Sequence, residues 1–84
     1  MSSMEDKQLA LQVRHAMART PLDLTGVHVS CSKGAIELVG MVRRPRDYRG
    51  ELDLKKEVVK LKQLVQQVRG VTELYSSNLR IYEL

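Results

Sequence analysis

Four arginines within seven residues, Arg43-Arg44-Pro45-Arg46-Asp47-Tyr48-Arg49, are the group in this chain best suited to a definite chemistry. A guanidinium presents a planar fork of donors that matches phosphate oxygens two at a time, and a proline stiffens the backbone that presents it. The charge balance points to the same segment. Residues 43–62 hold eight Lys and Arg against four Asp and Glu, whereas 1–42 hold four of each and 63–84 two of each. The whole formal charge of +4 therefore belongs to residues 43–62. Anionic lipid headgroups attract such clusters by about 1 kcal/mol per basic residue near the surface, and nucleic-acid backbones attract them by charge neutralisation. Arg43, Arg44, Arg46 and Arg49 are the candidate anion-binding residues. The competing expectation is a solvated loop neutralised by Asp47, Glu51 and Asp53.

Catalytic groupings are not found. His28 and Cys31 are three apart on a predicted strand, so their side chains leave opposite faces and do not chelate one metal. His15 falls on the polar face of a predicted helix, and Asp23, Glu37, Asp47 and Glu73 lie on separate elements with no base or nucleophile spaced to join them. Gly26, Gly34 and Gly40 make no phosphate loop, and the G-x-x-G clamp of KH-type RNA binders is missing. The expectation is a non-enzymatic protein without metal or cofactor. Three tyrosines with no Phe or Trp also leave little for base stacking.

The elements that must hold the arginines are legible from periodicity. Val27, Val29 and Cys31 alternate with His28 and Ser30; Ile36, Leu38 and Val42 alternate with Glu37, Val39 and Met41. That period of two, broken at Ser32-Lys33-Gly34, predicts a β-hairpin with strands near 26–31 and 35–43. Gly34 supplies a positive φ to the turn, and Gly40 removes a side chain from the inward face. Leu9, Val13, Ala16 and Met17 share one helix face, predicting a helix near 5–19 with Asp6 in its first turn and Thr20-Pro21 at its end. Leu54, Val58, Leu61, Val65 and Val68 form the stripe of a second helix near 51–69, followed by Gly70 as a C-terminal cap. An extended segment near 72–83 follows, with Leu79 and Ile81 facing away from Arg80 and Tyr82.

These elements give one domain over residues 1–84, of the α+β class. It is an αββαβ two-layer sandwich: a three-stranded mixed sheet with both helices on one face, the last strand parallel to the second. The predicted core comprises Leu9, Val13, Val27, Val29, Ile36, Leu38, Leu54, Val58, Leu61, Val65, Val71 and Ile81. Cys31, the single cysteine, reads as a small core hydrophobe.

The glycine and aliphatic spacings resemble the BON domain, a bacterial αββαβ module of envelope proteins. The resemblance rests on Val27-x-Val29-x-x-x-x-Gly34-x-Ile36-x-Leu38-x-Gly40-x-Val42, and on Val68-Arg69-Gly70-Val71-x-x-Leu74 at the second helix-to-strand junction. It implies the fold, phospholipid association and assembly of envelope complexes. Ring-building modules of secretion and sporulation machines share the same order of elements. The chain departs from the family's pattern in two places. The twenty-nine residues between Gly40 and Gly70 exceed its usual spacing, and the excess, Arg43 to Asp53, is the basic segment. Tyr75-Ser76-Ser77-Asn78-Leu79 holds one extra residue, which predicts a β-bulge near Ser76 or Ser77.

Some apolar residues remain once the core is assigned. Val39, Met41 and Tyr82 are expected on the sheet face away from the helices, and Leu52 and Val59 on the outer side of the second helix. Such patches predict an interface, either a homo-oligomer or a protein partner. The leading expectation is thus an interaction module that self-associates or docks on a partner, with a basic loop for anionic surfaces such as phospholipid. Sequence-independent nucleic-acid binding is the alternative. The acidic amino terminus is unlike a signal peptide and no apolar run is long enough to span a membrane, so the cytoplasm is the expected compartment.

Overall fold

A computed structural model of the chain describes residues 4–48 and 50–83. Helix α1 runs Met4–Met17 and buries Val13 and Met17. It carries Glu5 and Asp6 in its first turn and Arg14 and His15 in its last, the arrangement that complements the helix dipole. It stops two residues short of the expected end, where the Thr20 hydroxyl donates to the Met17 carbonyl at 2.8 Å.

The hairpin consists of β1, Asp23–Ser32, and β2, Ala35–Arg43, paired antiparallel. Lys33 and Gly34 form the turn with φ of 51° and 85°, the double positive φ that two-residue hairpin turns prefer. Strand β1 begins three residues before its expected start. A register shift between Asp23 and Gly26 breaks the alternation there, which is why period-two spacing does not reveal the start of the strand.

Helix α2 runs Leu54–Gln66 and buries Leu54, Val58, Leu61 and Val65. The Asp53 side chain caps it by accepting from the Lys56 backbone N–H at 3.2 Å. The C-cap is Gln67, so Gly70 lies beyond the cap, in the turn that leads to the next strand.

The last extended segment is two short strands, β3 (Glu73–Tyr75) and β4 (Leu79–Tyr82), both parallel to β2 along the same side. Ala35 lies opposite Glu73 and Gly40 opposite Leu79, so the β3–β4 side carries one extra residue. That is the expected irregularity at Ser76–Asn78, and the Gly40 N–H still donates to the Asn78 carbonyl across it. The order is αββαβ with an interrupted final strand, and β2 is the centre of the sheet.

Inward-facing Ile36, Leu38 and Val42 of β2 join Val13, Met17, Leu54, Leu61 and Val65 in one core that both helices cover. Leu9, Val29, Val71 and Ile81 are half-buried against it, while Leu22 and Leu52 are core residues. Leu52 corrects the expected surface patch. Helical phase extended back to it places it outside, but α2 starts only at Leu54, and the residue ahead of the cap turns inward. Gly40 is fixed by its surroundings: a Cβ there would stand 2.0 Å from the Gly26 carbonyl oxygen, and its φ is +124°. No larger residue fits this rung without separating β1 from β2.

Candidate functional site

The last rung of the sheet brings together residues far apart in sequence. Asp23 of β1 lies opposite Arg43 of β2, and Arg43 lies opposite Tyr82 of β4. The Arg43 guanidinium carbon stands 5.2 Å from the centre of the Tyr82 ring, a cation–π contact that aims its fork along the outer sheet face. Beyond β2 the chain continues as Arg44-Pro45-Arg46, bent by a turn in which the Tyr48 N–H donates to the Pro45 carbonyl. Arg43, Arg44, Arg46, Tyr82, Asp23 and Glu83 are among the residues lining one open cleft of about 600 Å³.

Three of the four expected arginines therefore converge; Arg49 lies outside the described residues. Among the described residues, no carboxylate stands within ion-pair distance of Arg43, Arg44 or Arg46, and Asp53 is taken up as the α2 cap. Of the two carboxylates lining the cleft, Asp23 and Glu83, Asp23 lies opposite Arg43 in the sheet. Its carboxyl is held below the usual range chiefly by hydrogen bonds from the Thr25 hydroxyl and N–H, with smaller contributions from Arg43 and Arg46. Both Thr25 bonds fall on one carboxylate oxygen, Asp23 Oδ1. Such a cleft can grip a phosphate or a free carboxylate by paired hydrogen bonds without immobilising the whole ligand.

Sequence reasoning puts Tyr82 on the outer sheet face, where it stands, and does not foresee its contact with Arg43. It misses Asp23 and Glu83 as part of this cleft. Strand order alone brings them there, and no local pattern announces it. Val39 and Met41 do share the outer face with Tyr82 and are half-buried. Their neighbours are polar or small, however: Val39 faces His28, and Met41 stands between Gly26 and Arg80. Val59 is exposed at 54% on α2, across the helix layer from that face. The sheet-face residues and Val59 thus lie on separate faces, as expected of two patches, while Leu52 has withdrawn into the core.

The reactive side chains are dispersed. His15 is exposed on α1 and His28 on the outer sheet face. Cys31 points inward, its thiol 3.7 Å from an Asp6 carboxylate oxygen, and burial raises its pKa, so the nucleophilic thiolate is disfavoured. Among the described residues, no helix is long and apolar enough to cross a membrane. No protein-family model matches the chain, and no curated protein matches it. The likeness to the BON domain rests on the glycine spacings and the αββαβ order.

Proposed function

We propose that this protein is a non-enzymatic assembly module that docks on anionic, phosphate-bearing membrane surfaces through the Arg43–Arg44–Arg46 cleft. The observation that carries the reading is the convergence of these three guanidinium groups, unpaired by any carboxylate among the described residues, on one open end of the sheet. Tyr82 pre-orients Arg43, which lowers the ordering cost of binding. A lipid surface is favoured over a nucleic acid because Tyr82 is the one aromatic residue among the described residues lining the cleft, too few for a base-stacking platform.

The test is co-sedimentation with vesicles of phosphatidylcholine alone and with added phosphatidylserine, with duplex DNA titrated in parallel. Binding to the anionic vesicles that falls steeply with salt supports the reading. Tight DNA binding without vesicle binding would replace it with the nucleic-acid alternative.

A further inference from the structure

The two edges of the sheet are protected very differently. The β3–β4 edge consists of strands of three and four residues interrupted by an inserted residue, and carries Glu73 and Arg80. Short, bulged and charged, it resists pairing with another chain. The β1 edge has none of these guards over its main run. It is ten residues long, its irregularity is confined to Asp23–Gly26, and Gly26-Val27-His28-Val29-Ser30-Cys31-Ser32 contains no proline and no formally charged residue. Its only strand partner among the described residues is β2.

Beside this edge the core is unfinished. On β2 the inward residues Ile36, Leu38 and Val42 are fully buried, but on β1 Val29 and Cys31 are only half-buried. An apolar groove of about 390 Å³ runs between the end of α1 and β1, lined by Met17, Leu22, Leu24, Val27 and Val29, with Arg14 at the rim.

We infer that β1 pairs antiparallel with β1 of a second copy, about a two-fold axis through Val29, giving one continuous sheet. This deepens the assembly reading by naming the partner and the surface. A second copy fits because the run is complementary to itself. With Val29 on the axis, Val27 faces Cys31 of the second copy on the inward side, while His28 faces Ser30 and Gly26 faces Ser32 on the outer side. Apolar meets apolar, polar meets polar, and no formally like charges oppose along the strand. Pairings shifted by one residue oppose inward to outward side chains and are excluded. The seven residues that pair in this register, Gly26 to Ser32, span about 23 Å, and with the 18 Å short dimension of the molecule the contact covers on the order of 400 Å². Surface relief and closure of the two grooves bring this towards the roughly 800 Å² per partner of a stable complex.

The test uses the intact chain. Light scattering coupled to size exclusion is expected to show twice the 9.6 kDa monomer mass at micromolar concentration. Val29→Lys, which puts two ammonium groups at the axis, is expected to raise the dissociation constant at least a hundredfold with unchanged circular dichroism. In case that variant fails to fold, Val29→Cys with Cys31→Ser supplies a second reading. In this double variant the two introduced thiols are directly opposite across the axis, so mild oxidation links the dimer. Native Cys31 lies four residues out of register with its counterpart and does not link. A monomer at every concentration overturns the inference. So does a dimer in which the double variant fails to cross-link while the native chain links through Cys31. Vesicle binding by the arginine cleft is read separately, so either proposal can fail alone.

Discussion

The two ends of this sheet are built on opposite principles. At the hairpin-turn end, three elements converge on Lys33 and Gly34. The Asp6 carboxylate of α1 accepts from the Lys33 N–H at 3.1 Å, the Thr72 N–H donates to the Gly34 carbonyl at 2.9 Å, and a Cβ on Gly34 would stand 2.8 Å from the Gly70 carbonyl oxygen. The turn is thus held by partners distant in sequence. At the other end, where Arg43-Arg44-Pro45-Arg46 leaves the sheet, the guanidinium groups stand in an open cleft, and the loop beyond is bent by the turn from Pro45 to Tyr48. Close approach makes one end intolerant of change. Openness makes the other tolerant and leaves its charge available for binding.

The sharpest way to break that contrast is to add one methyl group. Gly34→Ala, in the hairpin turn, combines a φ of +85° with a Cβ 2.8 Å from the Gly70 carbonyl oxygen, so a loss of about 3 kcal/mol is expected, a large share of the stability of a domain this size. Gly50→Ala, in the open loop, has a positive φ but nothing within 4 Å, and is expected to cost about 1–2 kcal/mol. Urea denaturation of both checks the pair, and equal losses would show that crowding is not what distinguishes the two regions.

Next in size is Asp6→Ala. Removing the acceptor from the Lys33 N–H and the first-turn acid from α1 is expected to cost about 1–2 kcal/mol, read in the same denaturation experiment. Faster hydrogen exchange at Lys33 would localise the loss to the turn.

The smallest effect belongs to the open end and concerns pH. Asp23 titrates below the usual carboxylate range because its ionised form accepts from Thr25. A depressed folded pKa means that the carboxylate's contribution is present above the unfolded value and is lost as pH falls through the folded value. Thr25→Val removes the hydroxyl, the main cause, so the Asp23 carboxyl resonance is expected to titrate at higher pH in that variant. An unmoved titration would transfer the cause to the Thr25 N–H, Arg43 and Arg46.

Much of the tight end is legible in the chain and little of the open one. Leu54, Val58, Leu61 and Val65 follow helical spacing, and Val27 to Val42 alternate around a turn whose glycine has no substitute, because burial imposes those periods on every residue of the element. The extra residue at Ser76–Asn78 shows for the same reason, as a break in alternation. The Asp23–Gly26 bulge hides the start of β1 because it destroys the only signal a strand has. Leu52 misleads because helical phase says nothing about where a cap begins. The arginines can be counted but not aimed: the row Asp23–Arg43–Tyr82 depends on β1 and β4 flanking β2, which brings residues nearly sixty positions apart in sequence onto one rung.

The central claim, that the arginine cleft is the binding surface and is not part of the folding core, is tested most directly by the triple variant Arg43→Ser, Arg44→Ser, Arg46→Ser on phosphatidylserine-containing vesicles. At about 1 kcal/mol per arginine the account predicts a loss of about 3 kcal/mol, roughly a hundredfold in affinity, with denaturation unchanged within about 0.5 kcal/mol. Vesicle binding by the triple variant at wild-type affinity would contradict it.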